Sequence, residues 1–229
     1  MSKPIIFLGS GLQITEFAEI CDLAAQSVVG IIDSDYYGNT TDYQGIPYVG
    51  REDDFDFSDA SDKYDFFIGS AAVAGMPRTI QRRRQFVDLV DQLNLPCANI
   101  IDPQCRISPK AKLGKGVYIG YSSWISHQVV IHDHCIMHAF SAVGHGCVIG
   151  KNTTFKGNVG ASSNVTFGEN VIALIGSRFL GFPSMSVGNN AIIYPGMVVM
   201  RDVADGEIAR FSSKKIYAGI VDQVPPQET

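Results

Sequence analysis

The stretch from Ser126 to Cys147 holds His127, His132, His134, His138 and His145, and these are all five histidines of the 229-residue chain. Imidazole is the side chain whose ordinary titration lies nearest neutral pH. It therefore suits general-base catalysis, and it is also a common metal ligand. Three readings compete: a metal site, an acid–base site, or a structural repeat whose surface carries imidazoles by chance. A zinc site needs three ligands converging at ~2.0–2.1 Å. An acid–base site needs one imidazole set in a surface recess. The choice rests on the elements that position the rings.

Those elements fall into two halves. In the first, short apolar runs alternate with helical spacing. "PIIFLG" ends in a Gly-Ser-Gly turn. "QITEFAEICDLAAQ" places Ile14, Phe17, Ile20, Cys21 and Ala24 on one helical face. "SVVGIID" ends at Asp33, "KYDFFIGS" at Gly69 and Ser70, and "CANIID" makes a fourth run. "PRTIQRRRQFVDLVDQLN" reads as a helix opened by Pro77. Its Arg82-Arg83-Arg84 run reads as a solvated helix face. This alternation predicts a small parallel α/β sheet with its ligand site at the carboxyl ends of the strands.

The second half changes period. Stepping by six from Ile101 to Met185 meets fifteen positions, all apolar; at 45% apolar composition, chance gives this on the order of 10⁻⁵. The frame then slips by two and resumes at Val187, Ile193 and Val199. Three residues past each apolar position stand Gly116, Ser122, Gln128, His134, Phe140, Gly146, Asn152, Asn158, Asn164, Asn170, Gly176, Asn190 and Gly196. Gly and Asn tolerate positive φ best, so each hexapeptide should turn a corner here. Short strands with a corner every six residues predict a parallel β-helix of triangular section, in which about 18 residues complete one coil. His127 and His145, eighteen apart, should then stack about 4.8 Å apart along the axis. Side chains on different faces of one coil diverge, which weighs against a metal site within one chain.

Composition narrows the function classes. The charged fraction is only 18% and the net charge is −5, which disfavours nucleic-acid binding. No apolar run approaches the ~18 residues of a membrane span. "MSKPIIFLGSG" reads as a strand entering a turn rather than a leader, so a cytoplasmic location is expected. The five cysteines are odd in number with no C-x-x-C pair, which fits reduced packing thiols. "GSGLQ" has the content of a tight turn whose backbone N–H groups approach a phosphate at a helix N-terminus, although it lacks the third glycine of G-x-G-x-x-G.

The chain resembles the hexapeptide-repeat sugar O-/N-acyltransferases that acylate an amino group on a nucleotide-linked sugar. The resemblance runs from "LGSGLQITEFAEI" and "IIDSD" through "IIDPQCRISPKAKLGKGVYI" and the coils to "VVMRDVADG". It implies an α/β nucleotide-sugar domain over 1–98, a left-handed β-helix over 99–205 and a C-terminal extension over 206–229. "SAVGHGCVIG" matches the family's S-x-V-x-H-[DE]-C-x-I-G, which puts His145 at the catalytic position and His138 where an asparagine often stands seven residues earlier. It also implies a nucleotide-sugar site at Gly9, Ser10, Gly11, Leu12, Asp33, Asp35, Gly69 and Ser70. An acyl-CoA groove would involve Thr154, Ser163, Ile175, Pro195 and Gly196. Acetyl-CoA is the implied donor, no metal is expected, and a homotrimer through residues 101–205 would form the groove. The chain departs from the pattern at four places. Gly146 replaces the acid after the catalytic histidine, and Thr154 replaces a second histidine. Tyr194 and Pro195 interrupt a small-residue coil, and "ARFSSKKIYAG" stands where a G-x-P-A-K signature closes the family. Two other readings stay open: a zinc lyase using His127 and His132, whose spacing matches β-helix carbonic anhydrases, and a sugar-nucleotide-binding protein without chemistry.

Overall fold

The computed structural model describes residues 2–211. The first unit is a five-stranded sheet of order β3-β4-β2-β1-β5, made of Ile5–Leu8 (β1), Val28–Ile32 (β2), Asp42–Tyr43 (β3), Ile46–Gly50 (β4) and Asp65–Ile68 (β5). β1 lies between β2 and β5, parallel to both, and β3 forms an antiparallel edge on β4. Alternate residues of β1 face opposite ways. Ile5 and Phe7 meet helix α1 (Ile14–Leu23) through Phe17, while Ile6 and Leu8 face helix α3 (Pro77–Gln92), which follows the one-turn helix α2 (Phe57–Ala60), through Phe86, Val87 and Val90. Two differences from the sequence reading stand out. The strand Ile46–Gly50 was not expected, because Pro47 and two glycines break its apolar pattern. The fourth apolar run leaves the sheet after one bridge from Cys97 to Phe66, and its Ile100–Ile101 pairs with Tyr118–Ile119 in the second unit.

The second unit is a parallel β-helix. Three all-parallel sheets of seven, six and five two- or three-residue strands form its faces. The first face carries Tyr118–Ile119, Ile136–Met137 and Thr154–Phe155; the second carries Trp124–Ile125, Ala142–Val143 and Gly160–Ala161; the third carries Val130–Ile131 and Val148–Ile149. Partners stand one coil apart, as in Trp124 with Ala142. The second residue of each pair points inward, and Ile125, Ile131, Met137, Val143, Ile149 and Phe155 are completely or almost completely buried. All thirteen corner positions anticipated from the sequence have positive φ, between +52° and +73°. The insertion lies earlier than the repeat suggested. Val165 pairs with Met185, so the two extra residues fall between Phe179 and Met185, in the "LGFPS" segment. Among the described residues no helix is long and apolar enough to cross a membrane.

The two units are joined across the first face. Phe17 of α1 packs on Tyr118 at 4.6 Å between ring centroids. On the α3 side Arg83 is fully buried. Its Nη1 donates to the carbonyls of Ile68 (3.2 Å) and Ser70 (2.7 Å), its Nη2 to the carbonyl of His134 (2.7 Å), and its Nε to Asn152 Oδ1 (2.8 Å). This corrects the reading of the arginine run as a solvated face. Only Arg84 fits it, reaching Asn190 at the surface. Arg82 turns to the sheet, where it donates to Asp33 and Glu52. Helical spacing points three consecutive residues in three directions, so one lands in the seam.

His134 occupies a corner beside this guanidinium. Burial, reinforced by Arg83, pulls its pKa from 6.5 down to about 4, and neither ring nitrogen has a hydrogen-bond partner among the described residues. The unfolded chain takes up a proton near pH 6.5 that the folded chain refuses until about pH 4, so stability is full above 6.5 and declines as pH falls between these values. The loss at the lower end is ~3 kcal/mol. Urea unfolding at several pH values should show a flatter slope over this window for His134→Asn, which keeps a residue tolerant of positive φ. An unchanged slope would assign the pH dependence to other groups.

Candidate functional site

Two cavities meet at the start of α1. The first, of about 490 Å³, lies at the carboxyl ends of β1, β2 and β5 and is lined by Ser10, Gly11, Leu12, Gln13, Asp33, Asp35, Tyr36, Ser70 and Arg82, among others. Gly9 and Gly69 do not line it. They let two chain turns touch: a Cβ on Gly69 would lie 2.6 Å from the Gly9 carbonyl, and Gly9 itself has φ +77°. Asp33 is buried, and its carboxylate is engaged by the chain: Oδ2 accepts from Ser10 N and Oγ at 2.7 Å each, and Oδ1 accepts from Asp35 N and Arg82 Nη2 at 3.1 Å. It organises the turn at the cavity wall. Asp35 is different, with a side chain 72% exposed at the rim. Ser70 Oγ is buried with no hydrogen-bond partner among the described residues. Beyond Ser10, no protein acceptor takes the N–H of Gly11, Leu12 or Gln13 among the described residues. These groups and the helix dipole form an anion-binding edge.

The second cavity, of about 480 Å³, lies between α1 and the first face, lined by Gln13, Glu16, His138, Ala139, Lys156, Gly157, Leu174, Ile175 and Pro195. Gln13 lines both cavities, so they adjoin across one side chain. His138, Lys156 and Leu174 stand one coil apart, so the repeat stacks them as it stacks the core. The buried imidazole of His138 has Nε2 2.8 Å from Gln13 Nε2 and Nδ1 3.4 Å from Glu16 Oε2. Tyr118 donates its hydroxyl to Glu16 Oε1 at 2.7 Å. The bond to His138 is the main cause holding the Glu16 carboxyl below its ordinary pKa, against the opposing effect of burial. Burial, helped by Arg83, lowers Lys156 to about 8. Gln13, Glu16, Tyr118 and Lys156 escaped the sequence reading. Lys156 had a usable signal in its eighteen-residue distance from His138, but Glu16 reads in sequence only as an acidic residue in a first helical turn.

His145 is exposed at the far edge of the second face. Its ring stacks on His127 at 5.2 Å with 3° between planes, close to the spacing expected of one coil. Ser163, one coil further, places its Oγ 2.8 Å from His145 Nδ1. If Nδ1–H donates to that oxygen, Nε2 keeps its lone pair for an incoming proton. His138 and His145 occupy different corners of the same coil, and the single chain does not bring them together. Ile175 and Pro195 line the His138 cavity, whereas Gly196 sits at an exposed corner. Thr154 is buried in the first face, and its Oγ1 has no partner among the described residues. His132 lies on the third face, away from His127, and no three His, Cys, Asp or Glu side chains converge as a metal site among the described residues.

No protein-family model matches the sequence, and no curated protein matches it. Solved structures do. A histidine-to-asparagine variant of perosamine N-acetyltransferase from Caulobacter crescentus, in complex with CoA and GDP-perosamine, superposes with TM-score 0.74 at 21% identity, covering 88% of this chain and 90% of that one. The acetyltransferase domain of PglB from Neisseria gonorrhoeae, in complex with acetyl coenzyme A, gives 0.73 at 19%, covering 90% and 95%. WeeI from Acinetobacter baumannii gives 0.71 at 20%, covering 89% and 94%. The chain shares its fold with these proteins over almost its whole length.

Proposed function

We propose that this protein transfers an acyl group, acetyl above all, from acyl-CoA to the amino group of a nucleotide-linked sugar. The observation that carries the reading is that the two cavities adjoin at Gln13, which lines both. A nucleotide diphosphate fits the anion-binding edge of the first cavity, and the sugar then extends past Gln13 toward the β-helix. The fold neighbours bound to CoA and GDP-perosamine support the same pairing of substrates. In this reading the N-terminal unit (1–98) is a Rossmann-like nucleotide-sugar domain, and the β-helix (99–205) is left-handed. Of the extension 206–229, residues 212–229 lie outside the described residues. The protein works in the cytoplasm.

His145 is the general base. Its Nε2 takes a proton from the attacking amine, the C–N bond forms as the thioester C–S bond breaks, and the proton passes to the departing sulfur. Preorganised N–H groups stabilise the oxyanion. A homotrimer brings the His145 corner of one copy to the cavity of the next. Trp124, Phe140 and Val198 leave the second face and its edge apolar and exposed, as an interface requires.

Gly11→Val tests the nucleotide end. Among the described residues, apart from the two chain neighbours, no atom lies within 4 Å of a Cβ built on Gly11, so the chain should fold normally. The added methyls occupy the space of the phosphates, and calorimetry should show affinity for nucleotide-sugar reduced about tenfold or more. Unchanged affinity would place the nucleotide elsewhere.

A further inference from the structure

We propose that Glu16 and His138 form a carboxylate–imidazole pair that receives the acceptor amine as its ammonium ion and removes the first of its two protons. The inference rests on the acyl-transfer reading and assigns to helix α1 a catalytic part in it.

The chemistry requires two proton removals. A sugar amine with pKa ~8 arrives at neutral pH mostly as R–NH₃⁺, which has no lone pair and cannot attack. Overall, R–NH₃⁺ and acyl–S–CoA give the amide R–NH–acyl, CoA–SH and one H⁺. Nitrogen loses one proton before attack and one as the amide forms; the second ends on sulfur and the first leaves to solvent. A single base at His145 serves the second step. The first needs a group in the acceptor cavity.

The cavity has such a group. Its wall at the end of α1 presents acceptors: the Glu16 carboxylate, the His138 Nε2 lone pair, and Gln13 Oε1, a buried oxygen with no donor among the described residues. Three acceptors suit an ammonium with three N–H bonds. With Gln13 donating its amide N–H to Nε2, the imidazole carries its proton on Nδ1, facing Glu16 Oε2 at 3.4 Å. The arriving ammonium displaces the Gln13 amide, one N–H bond breaks, and its proton moves to Nε2. Glu16 balances the resulting imidazolium through Nδ1–H. Tyr118, donating to the other carboxylate oxygen, fixes Glu16 in place. The pair also answers the absence of an acid at Gly146: the carboxylate that orients an imidazole comes from the other unit and serves a different histidine.

Among the described residues the other charged groups acting here are Lys156, which lines the cavity with a pKa of about 8, and the buried Arg83, whose charge helps to lower it. Lys156 titrates in the window where the amine does, so the comparison must be between variants under identical conditions.

The experiment measures kcat/KM against pH for the wild type, Glu16→Gln and His138→Gln, with acetyl-CoA and a panel of GDP-, UDP- and TDP-linked aminosugars, GDP-perosamine among them. Glu16→Gln keeps an acceptor for Tyr118, so the fold should persist. The expected result is a loss of about tenfold to a hundredfold at pH 6.5–7 for both variants, shrinking to within about threefold near pH 9, where the amine arrives already neutral. A loss independent of pH would make the pair structural, and no loss at pH 7 would remove it from the reaction; either overturns the proposal. If the wild type turns over no member of the panel, the acyl-transfer reading fails and this inference falls with it. That outcome is distinct from active wild type with unaltered variants.

Discussion

His145→Ala should lower kcat by ~10²–10⁴, the range for losing a positioned base. The ring is exposed and stacks on His127, with Ser163 on its Nδ1, so removing it deletes no core packing. Thermal unfolding and nucleotide-sugar affinity should stay near wild type. His127→Ala removes the stacking partner without touching the Ser163 contact and should cost far less. Steady-state kinetics on both variants check this. Equal losses from the two would mean the stacked pair acts as a unit. Undiminished activity in both would place the general base on another group.

The second large effect is on stability. Arg83→Met keeps most of the side-chain volume but strips hydrogen bonds from the carbonyls of Ile68, Ser70 and His134 and from Asn152 Oδ1. Each buried acceptor left unpaired costs about 1–3 kcal/mol, so the variant should lose about 3 kcal/mol or more. These bonds tie β5 and α3 to a β-helix corner, so the loss should also separate the two units. Urea unfolding followed by Trp124 fluorescence, which reports the β-helix, and by far-UV dichroism should give coincident transitions in the wild type and divergent ones in the variant. Arg84→Met, which removes only the surface contact to Asn190, is the control and should change little. A wild-type-like Arg83→Met would show that water satisfies those acceptors.

The β-helix was legible because its determinants are local and repeated. An apolar residue every six positions fills the interior, and Gly, Asn or another residue tolerating positive φ turns each corner; even Phe140 and His134, poor candidates by type, obey the period. The stacking of His127 on His145 follows from the same arithmetic. What stayed hidden depends on how the two units dock. Nothing in the spacing of "QITE" announces that Gln13 and Glu16 will meet His138, because more than 120 residues separate them. Arg83 was misread for the same reason: a basic run looks solvated until a second unit covers one of its members. Asp33 ends its strand as expected, but its oxygens are engaged by Ser10, Asp35 and Arg82, a pattern set by the turn's geometry and not by residue type.

Acyl transfer can be read by incubating the purified protein with acetyl-CoA and nucleotide-linked aminosugars, following free thiol by absorbance and the sugar by mass spectrometry. The expected result is thiol release in step with a product heavier by one acetyl group on the amino nitrogen. Absence of both across GDP-, UDP- and TDP-linked aminosugars, from protein that binds those nucleotide-sugars, would contradict it.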